Sequence, residues 1–295
     1  MSAANGDATG RLVGGALGQP VQQSLRQSLR QFGMYLCRLY WEQRTYKTAV
    51  GLGLLSSAIG LVQFVLLGRF LQQGGTFPGL EPYGGDVLGF LLSGSVFTAF
   101  VAVCLSSFSS FLQTEQQNGT LEAVLATPVS LGRLMAFATL TSLLGATAGS
   151  ALMLLGFGAM FDVAFAVDIP GLLLVLTLLV MTLLGFGAAG CGVLLVAKRG
   201  DPVTWLVTML TTLLSGVLYP VSVLPGWLQT VSGVLPTTAA LDGLRRSMLT
   251  GAGVADVLPA AKVLAVWTVV ALPLGVYMLG RGLRRAKQEG TLAEF

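Results

Sequence analysis

Six long apolar stretches divide this chain, and none contains an acidic or basic residue after the opening Lys47. A helix needs about 20 apolar residues to cross a bilayer, and each stretch approaches or exceeds that length. Only 10% of the residues are charged, against about 25% in a soluble domain. The sequence therefore predicts an all-α polytopic membrane protein with six transmembrane helices. The predicted spans are Lys47–Leu67, Val87–Leu112, Leu134–Phe161, Pro170–Val196, Pro202–Tyr219 and Val263–Leu279.

The basic residues are distributed unevenly between the two sides that these spans define. If the N-terminus is cytoplasmic, the outer segments contain only Arg69, Arg245, Arg246 and Lys262. The inner segments contain the remaining basic residues: Arg11, Arg26, Arg30, Arg38, Arg44, Lys47, Arg133, Lys198, Arg199, Arg281, Arg284, Arg285 and Lys287. This positive-inside bias predicts that both termini are cytoplasmic in a plasma membrane, the inner one in a Gram-negative cell. It also explains the net charge of +4 without nucleic-acid binding.

The region before the first span has two parts. Residues 1–23 are rich in Gly, Ala, Gln and Ser and are predicted to be a disordered cytoplasmic tail. In residues 24–46 leucines recur at helical spacing, and Arg26, Arg30 and Arg38 lie beside them. This pattern predicts an amphipathic helix on the cytoplasmic membrane surface, in contact with lipid. The residues leave open whether it also has a protein partner.

A polar segment at 114–130 connects the second and third predicted spans. It reads Thr-Glu-Gln-Gln-Asn-Gly-Thr-Leu-Glu-Ala-Val-Leu-Ala-Thr-Pro-Val-Ser and has no catalytic pattern. Capping residues, a glycine and a closing proline are typical of a short helix with defined ends. A segment of this kind is either a plain connection or a surface on which another protein docks.

A second unusual segment, 220–246, follows the fifth predicted span. It is apolar but contains Pro220, Pro225 and Pro236, so it is not suited to form one more span. Broken apolar backbone at membrane depth is tolerated only where protein buries it. The segment is therefore predicted to enter the outer leaflet and return, or else to lie as a loop on the membrane surface.

These two segments resemble the corresponding parts of ABC type-2 permeases, the membrane subunits of ATP-driven exporters. In the first, the resemblance rests on Glu115, Gly119, Thr120, Leu121, Glu122, Thr127 and Pro128. In the second, it rests on the series from Tyr219-Pro220 through Leu224-Pro225-Gly226-Trp227 and Pro236-Thr237 to Leu241 and Leu244-Arg245. The matched regions extend from about residue 47 to residue 285, which we take as the permease domain, with residues 286–295 as a C-terminal tail.

The resemblance implies partners and roles for these residues. Two ABC ATPase subunits, which would bind ATP and Mg, are expected to dock on the 114–130 loop and on the 24–46 helix. A second permease subunit, either another copy or a close homologue, is expected to complete the pathway. The coupling residues would be Glu115, Gly119, Thr120, Glu122, Thr127 and Pro128. The residues of an extracellular gate would be Tyr219, Pro220, Pro225, Trp227 and Arg245.

The chain lacks the motifs of several other classes of protein. It has no phosphate-binding loop, no histidine and only three scattered cysteines, so we expect no cofactor, metal or ATP site on it. The glycine pattern from Gly185 to Gly190 lies within an apolar stretch, where small residues permit close helix packing, as we also expect for Gly145 and Gly149. Asp201-Pro202 is interpreted as a helix cap and first-turn proline.

The cargo has to be inferred from the surfaces of the predicted spans, where hydroxyl side chains recur. On the fifth span they share one helix face, and an aromatic face on the second span includes Phe97 and Phe100. We expect these faces to line a pathway for an uncharged or amphiphilic cargo: a drug-like molecule, a lipid or a lipid-linked glycan. The alternative is that the hydroxyls form hydrogen bonds within and between helices. The hydroxyl face comprises Thr204, Thr208, Thr211, Thr212 and Ser215.

The function predicted from the sequence is thus outward transport by an ABC type-2 permease, which is not itself an enzyme. Two other classes stay open: a six-span secondary transporter or channel that works without ATP, and a membrane enzyme or scaffold. The uncharged spans disfavour the first, because ion-driven transporters keep ionisable groups inside the membrane. The second would depend on Asp242, Arg245 and Arg246, which are expected to be a cap and an interface anchor.

Overall fold

The computed structural model describes residues 33, 47–72, 80–84, 86–117, 119, 131–161, 163, 165–197 and 201–289. The chain forms two compact units, residues 1–55 and 56–295, and the contacts reported below belong to the second. Within the described ranges the regular structure is entirely helical. The helices are α1 (Lys47–Gln72), α2 (Val87–Gln117), α3 (Leu131–Met160), α4 (Ile169–Ala197), α5 (Pro202–Leu214), α6 (Gly226–Val234), α7 (Pro236–Arg245) and α8 (Val254–Glu289).

Five of these helices, α1, α2, α3, α4 and α8, are long and apolar enough to cross a membrane. They extend past the predicted spans: α1 continues to Gln72, α2 to Gln117, and α8 begins at Val254 rather than Val263. Hydropathy marks only the part of a helix that matches the hydrocarbon, whereas backbone hydrogen bonding continues into the headgroup layer. The spans predicted from hydropathy are therefore shorter than these helices, which continue into polar residues at their ends.

The fifth predicted span, Pro202–Tyr219, is wrong in its extent. Its helix α5 has 13 residues, about 20 Å of rise, which is shorter than the hydrocarbon core. The Ser215 N–H makes the last helical bond, to the carbonyl of Thr211, and the helix ends there because Gly216 adopts a left-handed φ of 73°. Residues 215–225 form turns, including a short 3-10 turn at Val221–Val223, and α6 and α7 follow.

The most extensive helix pair is α4 with α8, which pack side by side in the same direction. A Cβ on Gly185 would lie 2.5 Å from the Ala271 carbonyl carbon, and one on Gly282 would lie 2.7 Å from the Gly192 oxygen. Thr182 and Thr268 join their hydroxyls across the pair at 2.8 Å. Close packing at Gly185 is thus confirmed. At Gly145 and Gly149 the described residues show no such packing, because a Cβ there would meet none of them within 4 Å.

Contacts between chain-distant residues define two ends of the 56–295 unit. At the first, which we call the Arg245 end, the start of α2 lies against Val163 after α3, and the Asp168 N–H before α4 donates to the Ser247 carbonyl. At the second, the Asp201 end, Ser109 near the close of α2 contacts Asp201 at the start of α5. Between them lies an apolar core that includes Val101, Leu105, Leu179, Leu183, Leu241 and Leu264.

Candidate functional site

The short helix α7 carries the most deeply buried cation among the described residues. Pro236 occupies its first turn, where a missing N–H costs nothing, and Leu235 before it is extended, as residues before proline usually are. A π-helical turn follows at Arg246–Thr250, and this turn ends at Gly251, whose φ is 66°. This arrangement places Arg245 inside the protein with 2% of its surface exposed.

The Arg245 guanidinium is hydrogen-bonded mainly to backbone carbonyls. Its Nη1 donates to the Gly216 carbonyl at 2.8 Å, and its Nη2 donates to the carbonyls of Phe90 at 2.9 Å and Val217 at 3.2 Å. Its Nε donates to the Ser93 hydroxyl at 3.2 Å. One side chain therefore connects α7, the turn after α5 and the first turns of α2.

Aromatic rings and a carboxylate complete the surroundings of this cation. The guanidinium carbon lies 3.5 Å from the centre of the Phe90 ring and 5.7 Å from that of Tyr83, both within cation–π range. The Tyr83 hydroxyl donates to Asp242 Oδ1 at 2.6 Å, and Asp242 pairs with Arg246 at 3.0 Å. Burial lowers the pKa of Arg245 to about 9, so the group is still charged at neutral pH. Burial also raises the pKa of Tyr83, which keeps its hydroxyl a donor.

Two glycines make room for this network. A Cβ on Gly94 would lie 2.5 Å from the Val217 oxygen and 2.8 Å from Arg245 Nη2. Gly216 has a φ of 73°, a backbone conformation that residues other than glycine rarely adopt. Its carbonyl accepts a hydrogen bond from Arg245. We refer to Phe90, Ser93, Gly94, Gly216, Val217 and Arg245 as the arginine clamp.

Two cavities flank the arginine clamp, and Arg245 lines both. One, of about 300 Å³, lies among the turn after α5, α6, α7 and α8 and has polar lining from Tyr83, Thr238 and Asp242. The other, of about 290 Å³, lies among α2, α3, α4 and α7 and is mainly apolar. Volumes near 300 Å³ are at the small end of ligand sites.

The Asp201 end is built on a helix cap. As predicted, Asp201 caps α5, accepting from the Thr204 N–H at 3.0 Å, with Pro202 in the first turn. Its other oxygen accepts from the Thr204 hydroxyl at 2.7 Å and, across to α2, from the Ser109 hydroxyl at 3.3 Å. Gly190 of α4 faces the same carboxylate, since a Cβ there would lie 2.6 Å from it.

The predicted coupling residues are only partly described. Glu115 was placed in a loop, whereas the structure places it in the last turns of α2 with 3% of its surface exposed, because the helix continues past the apolar boundary. Gly119 is exposed and has a left-handed φ of 66°, consistent with a chain turn after α2. The positions Thr120, Glu122, Thr127 and Pro128 lie outside the described residues, as do Arg26, Arg30 and Arg38 of the predicted surface helix.

The hydroxyl face of α5 is occupied by local hydrogen bonds. The Thr211 and Thr212 hydroxyls donate to carbonyls one turn earlier, and Ser215 shares a hydrogen bond with Thr237 at 2.7 Å. Phe97 and Phe100 are buried in the core and line the apolar cavity, whereas Ser215 lines the polar one. The structure therefore does not bring the two predicted pathway faces together in one described cavity. Thr208 is half-buried, and its carbonyl accepts the Thr212 bond.

The predicted gate residues have different environments. The Tyr219 hydroxyl donates back to the Leu213 carbonyl at 2.6 Å, and Pro220 and Pro225 precede the 3-10 turn and α6. Trp227 has 70% of its surface exposed, whereas Arg245 is buried. Arg245 is thus an internal tie rather than the interface anchor expected from the sequence.

Sequence reasoning missed the partners of Arg245. Tyr83 lies in a short connection, and Ser93-Gly94 is an ordinary pair of small residues in an apolar span. A usable signal was the pair itself, because small residues in a membrane helix mark places where backbone or a buried polar group approaches. Within the described ranges there is no cluster of His, Cys, Asp or Glu that would hold a metal ion.

Comparison with known proteins adds a family to this geometry. The sequence matches a family model described as ABC-2 type transporter over residues 31–249. It is 30% identical over 212 residues to Nodulation protein J of Rhizobium leguminosarum bv. trifolii, covering 68% of this chain and 77% of that protein. It is 29% identical over 211 residues to Nodulation protein J of Rhizobium leguminosarum bv. viciae, covering 68% and 78%. The matched region contains both Asp201 and Arg245.

Proposed function

Because this chain belongs to the ABC-2 type transporter family, we propose that it is the membrane permease subunit of an ATP-driven exporter. The observation that supports this most directly is the position of α2. This helix of 31 residues, about 46 Å long, leads at one end into the predicted coupling loop and at the other enters the arginine clamp. A push on the loop would therefore reach the far side of the membrane through one continuous element.

The contacts of α2 suggest how such a push would be divided. At its start, Phe90 and Ser93 are bonded to Arg245, so that α7 would move with α2. Near its close, the hydrogen bond to the cap of α5 among the described residues comes from the Ser109 hydroxyl, at 3.3 Å, and the same hydroxyl is 3.1 Å from the Ser106 carbonyl of its own helix. We propose that α2, α4, α7 and α8 form one body that ATP-driven motion displaces. Because Arg245 also holds the turn after α5, α5 would pivot about that turn while its Asp201 end shifts. Such a rigid-body displacement is a common form of switching.

The proposed orientation places the Asp201 end in the cytoplasm. Arg133 at the start of α3 and Arg281, Arg284 and Arg285 near the close of α8 would then face inward, in agreement with the positive-inside rule. The segment from Ser215 to Gly253, together with the clamp residues at the start of α2, would lie at the outer side. In this arrangement α5 counts as a sixth, short crossing element, and the 220–246 segment as the gate.

The proposed cargo is uncharged or amphiphilic: a drug-like molecule, a lipid or a lipid-linked glycan. The support is the neutral hydroxyl face of α5, whose side chains bond locally and which has no acidic or basic residue between Pro202 and Leu214. An exposed apolar surface on α5, formed by Trp205, Leu206, Met209 and Leu213, leaves room for the second permease subunit expected from the family. Two copies would then enclose the pathway, and two ATPase subunits would dock beneath.

The test is to purify this chain gently with its bound proteins and to measure vanadate-sensitive ATP hydrolysis. We expect an ATPase to co-purify and Glu122→Arg to abolish cargo-stimulated turnover while the chain still inserts in the membrane. The matched control is Asp256→Arg, a similar charge reversal at an exposed position in the first turn of α8, at the opposite end. An intact chain without an ATPase, even after crosslinking, would instead favour the ATP-independent transporter or channel.

A further inference from the structure

We propose that the apolar cavity among α2, α3, α4 and α7 binds one acyl chain of a membrane phospholipid. The cavity holds about 290 Å³. Its lining is mainly aliphatic and aromatic, from Val96, Phe97, Phe100, Leu154, Leu155, Phe165, Leu172 and Leu176 among others. Apolar cavities do not hold water well, and the only abundant apolar molecule around membrane helices is lipid.

The shape of the cavity follows the membrane normal. On α2 its lining runs from Ser93 to Phe100, and on the antiparallel α3 it runs from Leu155 back to Thr147. Seven or eight helical residues correspond to about 10–12 Å along the helix axes. The cavity is therefore elongated in the direction in which acyl chains of the surrounding bilayer run.

The cavity also has an entrance on the side that faces lipid. Leu155 and Val167 line it and have 68% and 48% of their surfaces exposed. Leu155 lies near the close of the candidate span α3, and Val167 lies in the connection just before α4. A chain already in the bilayer would enter sideways between these residues, without passing through water.

The end of the cavity that lies nearest the membrane surface carries a positive charge. Arg245 lines the cavity at the level of Ser93, close to the start of α2, and among the described residues it forms no ion pair with a carboxylate. The phosphate of a headgroup would be attracted to this end, whereas the opposite end, at Phe100 and Leu176, is apolar. The polarity of the cavity thus matches a phospholipid with its headgroup toward the Arg245 end.

The test is photolabelling of the full chain in vesicles of phosphatidylethanolamine and phosphatidylglycerol that carry a diazirine near the acyl terminus. No ATPase or nucleotide is present, so the result is independent of the proposed transport function. We expect labelled peptides to contain the buried Phe100 and the half-buried Leu176. The blocking variant is Ala151→Trp at the cavity mouth, and the control is Ala148→Trp, an exposed position on the same helix that does not line the cavity.

Blocking is expected to lower labelling of Phe100 and Leu176 about tenfold, equivalent to about 1.4 kcal/mol of binding, with the control unchanged. If Ala151→Trp fails to fold, Leu172→Trp closes the cavity from the facing wall on α4. Labelling confined to exposed residues such as Leu144 and Leu152 in the unmodified chain would overturn the proposal. Equal labelling of Phe100 in blocked and control variants would overturn it as well.

Discussion

The two ends of α2 are held in very different ways. At the Arg245 end, one buried guanidinium makes four hydrogen bonds to α2 and to the turn after α5. The packing there is so close that position 94 has no space for a side chain larger than that of glycine. At the Asp201 end, the hydrogen bond that joins α2 to the cap of α5 in the described part of the chain is the one from Ser109, at 3.3 Å. The first is a fixed joint and the second a weak one. Displacement of α2 would therefore carry α7 and the turn after α5 with it, while the Asp201 end of α5 lags.

The largest effect is expected from Arg245→Leu, which removes the centre of the fixed joint. The carbonyls of Gly216 and Val217 would lose their donor in a buried site, at a cost of about 2–4 kcal/mol in the free energy of unfolding. Arg246→Leu is the control, because Arg246 is partly exposed and has only an ion pair with Asp242, which contributes less than about 1 kcal/mol. Unfolding experiments in mixed micelles would measure the free energy of unfolding of both variants. Equal losses of stability in the two variants would contradict the assignment of the fixed joint to Arg245.

Gly94→Ala tests the same joint through volume rather than charge. The added methyl group would displace the Val217 carbonyl, and overpacking of this kind costs about 1–3 kcal/mol. Gly145→Ala is the opposite case, because its Cβ meets open space and alanine favours a helix by up to about 1 kcal/mol. Thermal unfolding should therefore shift in opposite directions. A stabilising Gly94→Ala would show that the clamp is looser than the structure indicates.

The sequence predicted the helical class and the broken 220–246 region because hydropathy and proline act locally. Asp201-Pro202 was predicted for the same reason, since a cap is made by residues three positions apart. The buried position of Arg245 could not be predicted from the sequence, because its partners Phe90, Ser93 and Gly216 are 155, 152 and 29 positions away. Likewise, the hydroxyls of α5 were chosen by helical spacing, which does not reveal that Ser215 is already bonded to Thr237.

Asp201→Ala removes the cap at the weak joint and is expected to cost about 1 kcal/mol. Asp201→Asn retains an N-cap side chain and should cost much less in stability. Both substitutions weaken the charge-assisted bond from Ser109, so both should lower ATP turnover coupled to transport. Unfolding and coupled turnover, measured on the same preparations, separate the role of Asp201 in stability from its role in coupling. A parallel loss of both quantities in Asp201→Asn would mean that Asp201 serves stability alone.

The smallest change in stability is expected from Ser109→Ala, about 0.5 kcal/mol for one partly solvated hydrogen bond. Its control is Ser106→Ala, one turn earlier on α2, where the hydroxyl bonds only to carbonyls of its own helix. Coupled ATP turnover should fall in Ser109→Ala and stay unchanged in Ser106→Ala. Indistinguishable turnover in the two variants would remove Ser109 from the coupling path.

The central claim is that α2 and the arginine clamp move as one body, and pulsed electron paramagnetic resonance measures this directly. Spin labels at the exposed positions Gln113 on α2 and Thr250 beside the clamp report the distance along one subunit that is assembled with an unlabelled partner. We predict the same distance without nucleotide and with ATP and vanadate, while labels at Thr250 in the two subunits change their separation. A change between Gln113 and Thr250 as large as the change between subunits would contradict the account.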